Sequence, residues 1–318
     1  MSQMKLTSVY NKVKENISRV IVGKDEVIDL LLVTMFARGH ILLEDVPGTG
    51  KTMLVKSLAS SVDCTSSRIQ FTPDLLPSDV TGINFYNMKS GEFEFVKGPV
   101  FAGMVLADEI NRATPKTQSG LLECMEERQV TVDGTTYPME ELFMVIATQN
   151  PVENMGVFPL PEAQLDRFLV KTAMGYPDHN QTVMIMERFA SENPLEALAP
   201  VVSVSDVIEA QKELDGIQLD RDIASYIVSI TESTRHVRGV ELGASPRAAL
   251  ALMRVARGYA AINGRQYVIP DDVKRAAIPT LAHRLVLSGA MRIRKNAAQE
   301  IISEIISTLT VPTESQLS

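Results

Sequence analysis

Hydrophobic residues follow two different spacings along the first half of the chain. Between residues 5 and 20 they recur at every third or fourth position, which predicts an amphipathic helix, and a second helix is expected over 26–38. The pattern then changes to short continuous apolar runs, which are typical of strands buried on both faces. Strands are predicted at residues 41–43, 68–71, 104–107 and 142–148, all but the second of them mainly apolar, with helical spacing between them at 51–61 and 115–128. This alternation predicts an α/β fold with a parallel sheet flanked by helices.

Two stretches depart from this alternation because their apolar residues recur at every second position. Residues 83–86 and 92–96 flank a turn at Gly91, and residues 130–137 enclose the pair Asp133 and Gly134, which favours a tight hairpin turn. We therefore expect two β-hairpin inserts. The aromatic residues of the first hairpin could belong to the hydrophobic core or form an exposed functional surface.

Three prolines mark a boundary after residue 176, with room for one helix between them. Beyond residue 200 the spacing is helical throughout. We predict helices at 205–214, 219–235, 245–262, 271–285 and 297–309. The expected organisation is an α/β core over 1–176, a linker with one helix over 177–200, an all-α domain over 201–310 and a flexible tail over 311–318.

Composition narrows the class of protein. The chain has 318 residues, of which 45% are hydrophobic, and its formal net charge of -8 disfavours a generally basic nucleic-acid clamp. Its two cysteines give neither a metal-ligand spacing nor a disulfide framework. The longest apolar run, 30–37, is too short to cross a bilayer, and the first residues lack the apolar core of a signal peptide. These features predict a soluble cytoplasmic protein.

A glycine-rich loop after the first apolar run is the strongest chemical signal. Glycines let backbone N–H groups turn inward and a helix N-terminus adds unpaired donors, so the loop suits phosphate binding. Lys51 is expected to reach the outer phosphates and Thr52 to bind Mg²⁺. The full phosphate-loop motif, G-x-x-x-x-G-K-[ST], has glycine at the position that Asp45 occupies in this chain. The alternative to a phosphate loop is a turn between a strand and a helix that carries these residues by chance. The loop residues are Pro47, Gly48, Thr49 and Gly50, followed in the helix by Lys51, Thr52 and Met53.

Polar residues follow two other predicted strands. Asp108 and Glu109 end the third run, where Asp108 is expected to hold the Mg²⁺ shell and Glu109 to polarise the attacking water. Asn150 follows the fourth run, and its amide could hold that water or a phosphate. The alternatives are a surface acidic pair that stops a strand and an Asn that caps a turn before Pro151.

Two arginines could reach a phosphate. Arg167 lies among apolar residues and fits either an arginine finger or an internal ion pair with Asp166 or Glu162. Arg247 lies in the first turn of a predicted helix, where a cation opposes the helix dipole. That position indicates an anionic partner, which is either a nucleotide phosphate or a nearby carboxylate such as Glu241.

These motifs, in this order, resemble an AAA+ ATPase and, within that class, the MoxR group. The strings that carry the resemblance are LLEDVPGTGKT, RIQFTPDLLPSDVTG, VLADEINRA, ATQNPVE, LPEAQLDRF and GASPRA. The resemblance covers the chain from about residue 21 to residue 287. It implies a P-loop NTPase core, a C-terminal helical lid domain, and hydrolysis of ATP to ADP and phosphate. It also implies ATP or ADP with Mg²⁺ as the bound species.

The resemblance assigns roles to single residues. Lys51 and Thr52 match the Walker A motif, and Asp108 and Glu109 match the Walker B motif. The same resemblance places Thr52 and Asp108 at the metal. The hairpins match the helix-2 insert and the pre-sensor-1 insert of such ATPases.

Residues outside the Walker motifs also have counterparts in the group. Asn150 resembles sensor 1, and Arg247 resembles sensor 2. Arg167 resembles the arginine finger, which in such rings reaches the nucleotide of the next subunit. Val22 and Gly23 match the stretch that lines the adenine pocket.

The resemblance further implies a homo-oligomeric ring, usually a hexamer, with chaperone-like action on protein complexes. Its partners often contain a von Willebrand factor A domain, whereas nucleic acid is not an expected partner. The rival interpretations are a nucleic-acid motor with the same ATP core, a nucleotide switch without turnover, and a magnesium-chelatase-like subunit.

Overall fold

The computed structural model describes residues 4–45, 48–150, 156–190, 193–294 and 296–312. In chain order, its helices and strands are α1 Lys5–Ser18, α2 Asp25–Phe36, β1 Ile41–Glu44, α3 Lys51–Val62, β2 Ser66–Gln70, α4 Pro77–Thr81, β3 Gly82–Asn87, β4 Glu92–Lys97, β5 Met104–Asp108, α5 Pro115–Glu127, β6 Gln129–Val132, β7 Thr135–Pro138, β8 Met144–Gln149, α6 Glu162–Leu165, β9 Val170–Thr172, α7 His179–Phe189, α8 Val204–Asp215, α9 Arg221–Ser233, β10 Val240–Leu242, α10 Pro246–Ile262, α11 Pro270–Leu281, β11 Val286–Leu287, α12 Gly289–Arg292 and α13 Ala297–Thr308. Within these ranges, every helix is too short or too polar to span a bilayer. Most of the predicted tail, residues 313–318, lies outside the description.

Five parallel strands form the central sheet in the order β2-β5-β8-β1-β9. After β1 the chain crosses to the edge strand β2, and β5 and β8 return toward β1. In a parallel sheet with such a change of direction, ligands bind in the crevice at the carboxyl ends of the strands. The predicted parallel sheet with flanking helices and two hairpins is therefore confirmed. Strand β9 was not predicted, because three residues are too few to show a spacing.

The inner strands are buried on both faces, as their continuous apolar sequences require. In β1, Ile41 and Leu43 belong to one hydrophobic cluster, whereas Leu42 belongs to the other. Each such side chain contributes about 1.5–3 kcal/mol when it is fully buried. The strand that leads into the glycine-rich loop is consequently fixed from both sides.

The helices beyond residue 200 share one hydrophobic cluster with α1, α2 and α3. Gly258 of α10 lies against α2 so closely that a Cβ there would come within 2.4 Å of Cγ1 of Val33. The side-chain amide of Gln211 donates to the carbonyl of Met35 at 2.8 Å. A short antiparallel ladder, β10 with β11, also lies in this part and was not predicted, since such short strands carry no periodic signal.

The two hairpins contact each other through aromatic rings. Phe95 of β4 stacks on Tyr137 of β7 with ring centroids 4.0 Å apart, and Phe95 also meets the edge of Phe101. At the other end of the first hairpin, Met88 and Phe93 are 91% and 74% exposed. The aromatic residues of this hairpin are thus divided between a packed base and an exposed tip.

Candidate functional site

The glycine-rich loop joins β1 to α3 at the carboxyl edge of the sheet. Gly48 and Gly50 have φ angles of +83° and +90°, the left-handed region in which glycine has no Cβ to clash. Gly50 is also the N-cap residue of α3, so the N–H groups of the first helical turn point toward the loop. Lys51 opens the helix, and its Nζ donates to the carbonyl of Asp45 at 3.4 Å. Pro47 lies outside the described residues.

Asp45, which replaces the first glycine of the full phosphate-loop motif, has a structural role of its own. The residue is buried, and its Oδ2 accepts hydrogen bonds from the backbone N–H groups of Met174 and Gly175, both at 3.0 Å. Those two residues follow β9 and lead toward α7. The carboxylate therefore ties the base of the loop to the segment that leaves the α/β core.

A cavity of about 160 Å³ opens beside the loop and has mostly apolar walls. Its walls include five of the residues predicted to bind the nucleotide, namely Val22, Gly48, Thr49, Gly50 and Met53. Gly23 lies directly against α7, because a Cβ there would come within 2.3 Å of the Gln181 side chain. The contribution of α7 was missed, since its residues were interpreted as part of a linker. The additional lining residues are Val20, Ile21, Lys24, Met174, Pro177, Ile185 and Phe189.

Asp108 ends β5 at the same edge of the sheet and is held by two neighbouring strands. Its Oδ1 accepts from the Thr148 hydroxyl of β8 at 2.6 Å, and its Oδ2 pairs with Arg68 of β2 at 2.7 Å. Carboxylate and hydroxyl oxygens are the ligands that Mg²⁺ prefers, so Asp108 and the half-buried Thr52 are chemically suited to that ion. Arg68 and Thr148 were not predicted because strand pairing, rather than sequence spacing, brings them here.

Glu109 is one of the few non-glycine residues in the left-handed region, with φ +57°. Such a conformation costs about 1–3 kcal/mol and is typical of functional sites. It directs the carboxylate toward β2, where Oε2 accepts from the Gln70 side chain at 2.8 Å and pairs with Arg112 at 3.3 Å. The Glu109 N–H donates to Thr148 Oγ1 at 2.9 Å, so one hydroxyl orients both acidic residues.

Asn150 is buried directly after β8. The N–H of Asp45 donates to the carbonyl of Gln149 at 3.0 Å, which places the end of β8 beside the base of the loop. The sequence-predicted residues of this edge, from the loop, β5 and β8, are therefore brought together by the fold.

The two predicted arginines lie elsewhere, and they share a carboxylate. Arg167 Nε lies 3.0 Å from Oε2 of Glu126, and Arg247 Nη1 lies 3.0 Å from Oε1 of the same residue. Arg247 Nε also lies 3.4 Å from Oδ2 of Asp166. Within the subunit Arg247 therefore has carboxylate partners, one of the two alternatives, but they are Glu126 and Asp166 rather than the suggested Glu241, because α10 directs Arg247 toward the end of α5. Arg167 likewise pairs with neither of its expected partners.

These residues line a cleft of about 310 Å³, which we call the arginine cleft. It opens at the amino edge of the sheet, since Gly39 and His40 precede β1, Leu169 precedes β9, and all three line it. The four-residue strand β1 spans roughly 13 Å at about 3.3 Å per residue. The glycine-rich loop and the arginine cleft therefore lie at opposite ends of one strand. The cleft is lined by Arg38, Gly39, His40, Met125, Glu126, Arg128, Asp166, Arg167, Leu169, Arg247, Ala251, Arg254 and Arg284.

Arg284 fixes the segment that carries Arg167. Its guanidinium, whose side chain is only 4% exposed, donates to Oδ1 of Asp166 at 2.6 Å and to the carbonyl of Phe168 at 2.7 Å. It also donates to the carbonyl of Leu169 at 3.1 Å. Arg284, from the C-terminal part of the chain, thus orients the segment with the predicted arginine finger. The sequence around Arg284 did not indicate this role.

Comparison with protein families gives two matches in chain order. Residues 40–170 match the model of the ATPase family associated with various cellular activities (AAA), and residues 232–305 match an AAA lid domain. The uncharacterized protein YeaC of Bacillus subtilis (strain 168) is 49% identical over 98% of this chain and 98% of its own length. Chaperone MoxR1 of Mycobacterium tuberculosis is 41% identical over 93% of this chain and 80% of its own length.

A solved structure has the same fold over nearly its whole length. It is a crystal structure of a proposed ATPase from Cytophaga hutchinsonii, with a TM-score of 0.90 and 41% sequence identity. The match covers 97% of each chain, so the arrangement of the C-terminal helices on the α/β core is similar as well.

Proposed function

Because this chain belongs to the MoxR-type AAA+ ATPases, and so binds nucleotide and hydrolyses ATP, we propose that it does so at a seam between two copies of itself. One copy supplies the glycine-rich loop and the carboxylates, and the next supplies the arginine cleft. The released energy is used to remodel or mature protein complexes. Magnesium is the metal, and ATP and ADP are the nucleotides.

The observation that carries this proposal is the separation of the two halves of the site. Lys51 and Glu109 lie at the carboxyl edge of the sheet, whereas Arg167 and Arg247 line the cleft at its amino edge. Strand β1 alone puts roughly 13 Å between the edges, which is farther than an arginine side chain reaches. A nucleotide on the loop can therefore meet these arginines only if they come from another copy.

On the loop side, the backbone N–H groups of α3 and Lys51 bind the phosphates. Thr52 and Asp108 are the residues that would hold Mg²⁺, which neutralises phosphate charge when it is bound. Glu109 orients and polarises the attacking water, and Asn150 stabilises that arrangement. Thr148 holds the carboxylate of Asp108 and the backbone of Glu109 in place.

On the opposite side, Arg167 and Arg247 stabilise negative charge on the phosphates of the neighbouring subunit. Both are prearranged by Glu126, which accepts from one on each of its oxygens. An arriving phosphate competes with Glu126 for the same donors, so the internal pairs orient the arginines until the seam forms.

Contacts between two different surfaces of identical chains generate a closed ring when the rotation closes. We propose a ring, with six copies as the expected number, and protein partners that include von Willebrand factor A domain proteins. The exposed tip of the first hairpin, at Met88 and Phe93, supports a protein client because large exposed apolar residues mark interaction sites. The division into a core over 1–176, a linker over 177–200 and a lid over 201–310 belongs to the same proposal.

The test is to mix two inactive variants. Rings of Arg167→Ala lack the finger, and rings of Glu109→Gln lack the water-polarising residue. In a one-to-one random mixture, about a quarter of the seams contain both intact groups, so ATP turnover should recover toward that fraction. Turnover is measured by phosphate release, and mixing is verified with differently tagged subunits. No recovery in rings shown to mix would assign Arg167 an internal role.

The remodelling activity has its own test. Glu109→Gln should bind ATP without hydrolysing it and so retain its protein partners, whereas Lys51→Ala should not bind ATP and should release them. Partners retained equally by both variants would show that capture does not depend on the nucleotide.

A further inference from the structure

We propose that Arg254 is a third arginine that contacts the phosphates of the neighbouring subunit's nucleotide. The inference rests on the proposed function and extends it, since Arg254 matches none of the motifs that define the site. Its ligand is a polyphosphate anion presented at the amino edge of the sheet, and its role is to bind that anion directly.

The position of Arg254 follows from helical geometry. Arg247, Ala251 and Arg254 all line the arginine cleft, and they occur at intervals of four and three residues along α10. Residues at that spacing lie on one face of a helix. Ala251, between the two arginines, is small and buried, so an anion held by Arg247 has room to meet Arg254.

The carboxylates of the cleft are already used by other arginines. Glu126 pairs with Arg167 and Arg247, and Asp166 pairs with Arg284 and Arg247. Within the part of the chain that the structure describes, the cleft lining contains six arginines and only these two carboxylates. The group therefore has an excess of positive charge.

Among the described residues, no carboxylate lies within ion-pair distance of Arg254. Arg38, another arginine of the lining, has Asp215 at 3.0 Å, and Arg128 donates to the carbonyl of Glu141 at 2.8 Å. Arg254 thus differs from the other arginines of the cleft, each of which pairs with a carboxylate or donates to a backbone carbonyl.

The surroundings of Arg254 favour an anion. Burial lowers the pKa of Arg254, and the charge of Arg247 lowers it further. Arginine nevertheless stays protonated in proteins, and because the Arg254 side chain is exposed in the cleft, its charge is accessible to an anionic partner. A phosphate suits this partner because its oxygens accept the parallel N–H groups of a guanidinium.

The decisive experiment measures ATP binding by assembled rings that cannot hydrolyse it. In the Glu109→Gln background, Arg254→Gln should raise the ATP dissociation constant of the ring about tenfold, since a charge-assisted hydrogen bond is lost. Dissociated subunits should show no change, because the contact comes from the next copy. Binding is measured by titration calorimetry on each assembly state, with assembly verified by light scattering.

Arg221→Gln is the matched control. Arg221 is an exposed arginine at the start of α9 and does not line the cleft, so its substitution should leave ATP binding by the ring unchanged. If Arg254→Gln does not assemble, Arg254→Lys carries the test. It keeps the charge but loses the planar pair of donors, and should weaken binding by about threefold.

The proposal is overturned if assembled rings with either Arg254 substitution bind ATP as tightly as their parent. It is also overturned if dissociated subunits lose affinity equally, because Arg254 would then act within its own chain. Failure of the proposed function looks different, since the parental ring itself would then bind no ATP or would bind it independently of Lys51.

Discussion

The phosphate-loop edge and the arginine cleft differ in the chemical groups that line them. The first is built from backbone N–H groups, carboxylates and an apolar cavity of about 160 Å³. The second, of about 310 Å³, is built mainly from guanidinium groups, three of which pair with the two carboxylates of the lining. A polyphosphate needs both kinds of partner, and one subunit presents them at opposite ends of β1. This difference is the basis of the proposal that each subunit contributes one half to each of two active sites.

The two regions also differ in how the chain assembles them. The residues of the phosphate loop are consecutive, so a local conformation is enough to build it. The arginine cleft combines residues from α5, the segment before β9, and α10, which are far apart in sequence. Its geometry therefore depends on the packing of the C-terminal helices against the core.

The largest predicted effect separates the two regions by assembly state. Arg167→Ala should lower the ATP turnover of rings by about 10³, because a finger contributes about 10³–10⁵ to the rate. It should leave ATP binding by dissociated subunits unchanged. Lys51→Ala, by contrast, should abolish ATP binding in either state, since its contact with the phosphates lies within one chain.

Phosphate release and titration calorimetry at ring-forming and dilute concentrations distinguish these outcomes. Loss of ATP binding by dissociated Arg167→Ala subunits would show that the arginine cleft contacts the nucleotide of its own chain. That result would remove the contrast between the two regions.

A smaller effect is expected for Asp45, which links the loop to the segment after β9. Asp45→Gly restores the glycine of the complete motif but leaves the N–H groups of Met174 and Gly175 without this acceptor. We expect the free energy of unfolding to fall by about 2 kcal/mol and ATP affinity not to improve. Asp45→Asn, which keeps an acceptor oxygen, should lie between Asp45→Gly and the parent.

Urea unfolding and ATP titration of the three proteins measure both quantities. A glycine variant that is as stable as the parent and binds ATP more tightly would show that Asp45 only weakens the phosphate loop. The link to residues 174–175 would then be incidental.

The smallest effect concerns pH and the arginine cleft. His40 is buried there, with Nδ1 accepting from the Val145 N–H at 2.9 Å and Nε2 at 3.1 Å from the carbonyl of Met125. Burial lowers the pKa of His40 from 6.5 to about 4. Between those values the unfolded chain binds more protons than the folded one. The free energy of unfolding should therefore fall by about 1.4 kcal/mol per pH unit as the pH decreases through this window.

His40→Gln retains an acceptor and a donor but does not titrate, so its unfolding free energy should depend less steeply on pH. Burial also lowers the pKa of His283. Part of the pH dependence of the unfolding free energy should therefore remain in both the variant and the parent. Urea unfolding at pH 7.5 and 5.5 provides the comparison. Equal slopes for the variant and the parent would mean that His40 is not the titrating group.

Prediction from sequence succeeded where the signal is local or periodic. The glycine-rich loop, the strands β1, β5 and β8, and both hairpins were found because spacing and turn residues specify them over a few positions. It failed for β9 and for the β10 and β11 ladder, which have three residues or fewer each. Prediction also missed the contacts that Arg68 and Gln70 make with the acidic residues at the end of β5, since the sequence of an edge strand does not show which strand pairs with it.

By itself, the sequence determined that a phosphate loop, a pair of carboxylates and two candidate arginines exist, because each depends on residue type and short spacing. The tertiary structure decided which of these share an edge of the sheet. It joined Asp108 to Thr148 and Arg68, and it placed Arg247 with Arg167 on Glu126. The reason is that contacts across the sheet and between α10 and α5 depend on strand order and helix packing, which no local pattern encodes.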